Sequence, residues 1–147
     1  MGAPNGINGL PDWTVDVTSI SGAASGGTQV SERSMTQRAI PKTEFLGVEF
    51  DGRRVGHVVV DTDGDRDEWE MHPTGDEFLY LVAGAIDVIL RDDPDREEER
   101  RIELRAGGAC VVPKGTWHRQ IVLAPCKMLF VSPETLHRPY VPEDGWS

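Results

Sequence analysis

The stretch DEWEMHPTGDEFLY, residues 67–80, gathers Glu68, Glu70, His72, Asp76 and Glu77 around a Pro73-Thr74-Gly75 bend and then runs straight into apolar and aromatic residues. Along a β-strand, residues two apart point to the same face, so Glu70 and His72 project together as a two-ligand platform. Beyond the bend, Glu77 shares parity with Leu79 and Leu81, which carries its carboxylate into the rim of an apolar interior. An acid buried there needs a partner or a cation, because an unpaired buried carboxylate is costly.

The flanking sequence has the same short-strand character. FLGVEF (45–50), Asp51-Gly52 and RVGHVVVD (54–61) read as two strands joined by a tight turn. EFLYLV (77–82), Ala83-Gly84-Ala85, IDVILRD (86–92), RIELRAGG (101–108), ACVVPKG (109–115), TWHRQIVLA (116–124) and CKMLFVSP (126–133) follow. No segment holds a helical period, so the pattern predicts an all-β antiparallel sandwich or barrel. DDPDREEERR (92–101), of mixed sign between two strands, reads as a solvated hairpin loop. Residues 1–34, with GAASGG at 22–27, read as an arm that is flexible or packed on a partner, in which only DWTVDV (12–17) alternates like a strand. The rest, 35–147, reads as one domain.

Charge narrows the partners. Fifteen basic against 25 acidic residues give a net charge of −10, which excludes attraction to a phosphate backbone or an anionic membrane as a source of affinity. No apolar run approaches the roughly 18 residues of a membrane span, and no basic segment followed by an apolar core opens the chain. A cytoplasmic protein is the expectation. Two cysteines, Cys110 and Cys126, make no disulfide framework, and Cys110 lies in an apolar run as a small buried hydrophobe would.

A second stretch, VPKGTWHRQIV (112–122), supplies a Pro-x-Gly turn, then His118, with Gln120 on the same face. Imidazole and carboxylate groups arriving from separate strands of a barrel build divalent transition-metal sites with open positions. The spacing Gly64, five residues, Glu70, one, His72, four, Glu77, six, Gly84 resembles the first cupin motif. Gly107, five residues, Pro113, one, Gly115, two, His118 resembles the second, in the right order. The resemblance covers about residues 45–133 and implies a double-stranded β-helix, a jelly-roll barrel with a metal at its mouth. The family's ligands map onto position 70, His72, Glu77 and His118. Many cupins dimerise by packing sheet on sheet, so a homodimer using the DWTVDV region is expected.

Two positions depart from the family pattern: Glu70 stands where a His is usual, and Val122 where an Asn is common. Three roles for Glu70 are open. It is a fourth ligand, in a set whose hard oxygens favour Fe(II) or Mn(II) over soft-ligand metals, Zn(II) and Ni(II) being the alternatives; or a base beside a His72–Glu77–His118 triad; or the partner of an arginine such as Arg119 in a site that has lost its metal. Gln120 is a candidate to orient a substrate oxygen. His57, Tyr80, Trp117, Met128 and Phe130, with Trp69, are candidates to line the pocket, core packing being the ordinary fate of each. His137 reads as a surface residue, and Gly84, Gly107, Gly108, Gly115 and Pro113 as turn residues. The resulting expectation is a metal-dependent cupin acting on a small oxygen-bearing organic substrate. Its rivals are a non-catalytic small-ligand binder and a metal-free cyclase or isomerase with Glu70 as general base.

Overall fold

The computed structural model describes residues 37–146; the expected arm over 1–34 lies outside them. Nine strands follow in order: β1 (Lys42–Phe50), β2 (Arg53–Val60), β3 (Gly64–Asp65), β4 (Glu68–Met71), β5 (Glu77–Arg91), β6 (Arg100–Arg105), β7 (Ala109–Val112), β8 (Trp117–Ser132) and β9 (Leu136–Pro139). All their pairings are antiparallel.

β5 and β8 organise the barrel. The first half of β5 and the second half of β8 pair with each other and extend to β7 on one side and β2 and β1 on the other. Their remaining halves, Ile86–Arg91 against Trp117–Val122, extend to β6 on one side and to β3, β4 and β9 on the other. The two long strands thus belong to both layers, and the sheet curls around the core as a jelly roll.

The curl corrects one local expectation. Ala83-Gly84-Ala85 is a bend inside β5, where the register with β8 shifts, rather than a turn between strands. Gly84 has φ 89° there, and a Cβ on it would come within 2.3 Å of the Pro125 carbonyl oxygen. TWHRQIVLA and CKMLFVSP likewise fuse through Pro125 into β8. Asp51-Gly52, with φ of 51° and 69°, forms the expected two-residue hairpin turn, since both central positions are left-handed. The charged loop after β5 closes on itself through Arg91–Glu99 and Arg100–Asp92 ion pairs.

Between the layers lies an apolar core that includes Val58, Val60, Leu79, Leu81, Ile86, Val88, Leu104, Val112, Met128 and Phe130. Cys110 and Cys126 are both buried there as free thiols. A smaller cluster of Trp69, Ile89 and Ile121 packs with Trp117, Leu123 and Tyr140. Arg119 runs across the Tyr140 ring at 3.9 Å and ends on the buried carboxylate of Asp65.

Candidate metal centre

Strand pairing, rather than nearness in sequence, assembles the site. Glu70 of β4 lies opposite His118 at the start of β8. The Pro73-Thr74-Gly75 bend returns the chain so that Glu77 opens β5, and Gly115, with φ 78°, donates its N–H to the His72 carbonyl, tying the turn before His118 to the end of β4.

His72, Glu77 and His118 are almost completely enclosed, with side-chain exposures of 1, 5 and 0%. Glu77 spans the two imidazoles, Oε2 lying 3.1 Å from His72 Nε2 and Oε1 3.2 Å from His118 Nε2. The other carboxylate contact of Glu77 Oε2 is the Ser132 hydroxyl, which donates to it. His72 Nδ1 lies 3.2 Å from the Glu134 carbonyl and 3.2 Å from the Thr135 hydroxyl, and His118 Nδ1 lies 3.3 Å from the Thr116 carbonyl. A carbonyl only accepts, so each Nδ1 carries a proton, and an imidazole without a second proton turns its Nε2 lone pair toward Glu77.

His72 Nε2, His118 Nε2 and Glu77 Oε1 are buried and make no well-aligned hydrogen bond. Three acceptors facing one another at such distances require positive charge among them, supplied either by protonating an imidazole or by a metal ion. The donor set fits a divalent ion: two imidazoles oriented by their second nitrogens and one carboxylate held by a serine. Glu70 completes a group with His72 and His118 whose ligand atoms lie within 4.8 Å of one another. A buried His/Glu cluster able to coordinate a divalent metal is therefore present.

Ionisation follows the enclosure. Burial would raise the Glu77 carboxyl, but close polar contact with His118 and then His72 outweighs it and holds the group at about 2. Burial lowers His118, and contact with Glu77, followed by the charges of Glu77 and Glu70, more than restores it, so the imidazole lies above its usual range. Burial, reinforced by Glu77, pushes the Cys110 thiol to about 12, leaving it inert as a ligand.

These directions predict opposite pH responses with and without metal. In metal-free protein the His118 contribution to stability is complete below its ordinary 6.5 and is lost as pH rises through the raised value. The Glu77 contribution is complete above its ordinary 4.5 and is lost as pH falls toward about 2. Stripped protein should therefore melt highest between 4.5 and 6.5. Metal binding requires neutral imidazoles, so the metal-induced rise in Tm should grow from about pH 6 to about pH 8. Melting curves of stripped and Mn(II)-loaded protein across that range test this, and parallel curves would refute it.

A cavity of about 240 Å³ meets the cluster at Glu70 and Glu77, with His72 and His118 behind them outside its lining. Glu70, Glu77, Gln120, Met128 and Phe130 line it, as do Val58 and Leu79. His57, Tyr80 and Trp117, expected among its lining, lie elsewhere. Strand alternation accounts for this: His57 is out of phase with Val58 and contacts Glu44 at 3.2 Å. Tyr80 is out of phase with buried Leu79 and Leu81, and Trp117 packs with Trp69 in the smaller cluster. Arg119 is committed to Asp65, so it is not the partner of Glu70.

Among the cavity residues that escaped the sequence reading, His137, Glu68, Ser132 and Arg66 bear on its chemistry. His137 of β9, opposite Glu70, lines the mouth with Nδ1 3.2 Å from Glu68 Oε2 and 3.9 Å from Glu70 Oε1. It is half exposed, as a surface residue, but its placement depends on a β4–β9 pairing that no local pattern announces. Glu68 shares parity with Glu70 and was within reach of the same rule. Ser132 and Arg66 carried no signal.

The family profile described as Cupin domain matches residues 56–132. Over 62 residues the chain is 37% identical to Protein SchB of Streptomyces halstedii, a match covering 42% of this chain and 40% of that protein. Among solved structures, an oxalate oxidase in complex with the substrate analogue glycolate superposes with a TM-score of 0.54 at 17% identity, covering 77% of this chain and 65% of that one. FeII HppE gives 0.51 at 19% identity, covering 63% and 50%. A Streptococcus pyogenes protein of unknown function gives 0.50 at 19% identity, covering 65% and 75%. These structural likenesses are of fold. With the profile spanning more than half the chain and both motifs converging on one buried cluster, the chain belongs to the cupin domain family.

Proposed function

We propose that this cupin is a metal-dependent enzyme acting on a small oxygen-bearing organic substrate, with Fe(II) or Mn(II) as the favoured ion. The observation that carries this reading is the convergence of three buried acceptors, His72 Nε2, His118 Nε2 and Glu77 Oε1, at the carboxylate of Glu77, which also lines a cavity. His72, Glu77 and His118 would hold the ion. When bound, the metal supplies Lewis acidity toward a substrate oxygen, or dioxygen chemistry if it is iron.

The chain's own residues do the rest. Glu134 and Thr116 carbonyls fix the imidazole tautomers, and Ser132 fixes one oxygen of Glu77. Glu70 is less enclosed, with 23% side-chain exposure, and one of its oxygens lies 3.7 Å from His118 Nε2. From there it serves as fourth ligand or as a base holding a proton from substrate. Met128 and Phe130 exclude water from one wall, which strengthens charge interactions within. The exposed apolar residues Phe45, Leu46, Val48 and Phe50 of β1 support a homodimer, which light scattering would test.

Cobalt loading tests the open-site reading. The visible bands of Co(II)-substituted protein should shift on adding acetohydroxamate, a small chelating oxygen ligand. Bands indifferent to the chelator would indicate a closed, structural ion and sink the catalytic reading. In the same assay Ser132→Ala should weaken metal affinity about 10- to 100-fold, the usual cost of losing a group that orients a ligand.

A further inference from the structure

Arg66 stands between β3 and β4, with its backbone N–H bonded to the Gln120 carbonyl and its side chain lining the cavity. The side chain is 11% exposed and pairs loosely with Glu68, yet most of its hydrogen-bonding capacity is unused. A guanidinium carries five N–H donors. Among the described residues, Arg66 makes one side-chain hydrogen bond, from Nη1 to Gln120 Oε1 at 3.3 Å. Its carboxylate neighbour, Glu68, lies 3.8 Å from Nη2, beyond hydrogen-bonding reach, with its other oxygen engaged by His137. Nε is buried without a partner. By contrast, Arg53, Arg91, Arg105 and Arg119 each hold a carboxylate oxygen within hydrogen-bonding distance.

Unused donors on a nearly enclosed guanidinium call for a ligand to complete them. The opposite character of the other wall defines that ligand further: Phe45 and Phe130 meet edge to face with ring centres 5.7 Å apart, beside Met128. We propose that Arg66, braced by Gln120, docks the carboxylate of a small monoanionic ligand whose apolar body lies on Phe45, Met128 and Phe130.

This deepens the reading of the cavity as a substrate pocket, on which it rests, and names the ligand class. A carboxylate suits the planar fork, which takes two oxygens at once. One negative charge is the limit, because Glu68, Glu70 and Glu77 line the same cavity and repel a second. Small size follows from a volume of about 240 Å³, below the roughly 300 Å³ at which pockets for drug-sized ligands begin.

Phenylacetate is the probe, with uncharged phenylacetamide as its control, titrated by calorimetry into wild type, metal-stripped wild type, Arg66→Gln and Arg66→Lys. Phenylacetate should bind wild type at least about 10-fold better than the amide, and Arg66→Gln should lose about 10- to 100-fold, the worth of a hydrogen bond to a charged group. Arg66→Lys, which keeps charge but not the fork, serves if the glutamine variant fails to fold, and it too should bind more weakly. The Arg66 Nε–H resonance of wild type should shift on titration. Wild type stripped of metal should keep its affinity for phenylacetate. If affinity instead vanishes on stripping and survives in Arg66→Gln, the carboxylate is a metal ligand; the metal centre stands and the Arg66 subsite falls. Loss in Arg66→Gln alongside wild-type protein that takes up no metal would keep the subsite and remove the metal reading. Absence of phenylacetate binding to wild type overturns the proposal.

Discussion

Purified without chelator, the protein is expected to carry about one divalent transition ion per chain, and His118→Ala is expected to carry none. Even removing a group that merely orients a metal ligand costs 10–100-fold in affinity, so loss of a ligand should exceed about 100-fold. His118 is the strongest choice because its side chain is fully enclosed and Nδ1 is already committed to Thr116. The alanine variant removes a buried ligand atom and frees Glu77 of one of its two imidazole contacts. Glu70→Ala separates the two roles left for that residue: a ligand takes the metal with it, whereas a base leaves metal content intact. Plasma mass spectrometry on the three proteins reads all of this. Equal metal in wild type and His118→Ala would place the ion elsewhere and end the proposed centre, as would wild type that stays empty after refilling with Fe(II), Mn(II), Ni(II) or Zn(II).

Gly84→Ala should be the most damaging methyl group that can be added to this chain's bend. A left-handed conformation costs an ordinary residue about 1–2 kcal/mol, and forcing atoms into a packed interior about 1–3 kcal/mol more. At Gly84 both apply: φ is 89°, and the new Cβ would meet the Pro125 carbonyl oxygen at 2.3 Å and Cys126 Cα at 2.7 Å. Both obstacles are backbone, so no rotamer change relieves them. A loss of about 2–5 kcal/mol is a large share of the 5–15 kcal/mol that stabilises an ordinary domain. Urea denaturation measures it; a loss under about 1 kcal/mol would mean that the bend can straighten. Gly107, also left-handed at φ 85° but with nothing within 4 Å of its would-be Cβ, is the control, expected to suffer the conformational cost alone.

Much of the fold and the centre of the site was legible because both depend on local pattern. Alternation along DEWEMHPTGDEFLY put Glu70 with His72 and Glu77 with Leu79, and the turn residues before His118 located the second half of the cluster. The same alternation, applied consistently, removes Tyr80 from the cavity and admits Glu68. What the sequence withheld is set by pairing across distance. His137 reaches Glu70 through β9, Ser132 reaches Glu77 from the far end of β8, and Arg119 is claimed by Asp65. The bend at Gly84 read as a turn because a glycine between two strand-like runs has the same signature whether the chain reverses or merely changes layer.

Membership of β5 and β8 in both layers bears on how this molecule opens. A sandwich whose layers share no strand can shed one of them, but here either layer's departure would break strands that continue into the other. Amides along the β5–β8 ladder should therefore exchange with solvent only through global unfolding, while those of β9, a four-residue strand paired with β4 at the end of the sheet, exchange through local fraying. The ladder also joins segments far apart in the chain, which makes its formation a late and slow event. His118 and Glu77 lie at the beginnings of those two strands, so an ion held between them would brake unfolding where the barrel is hardest to rebuild.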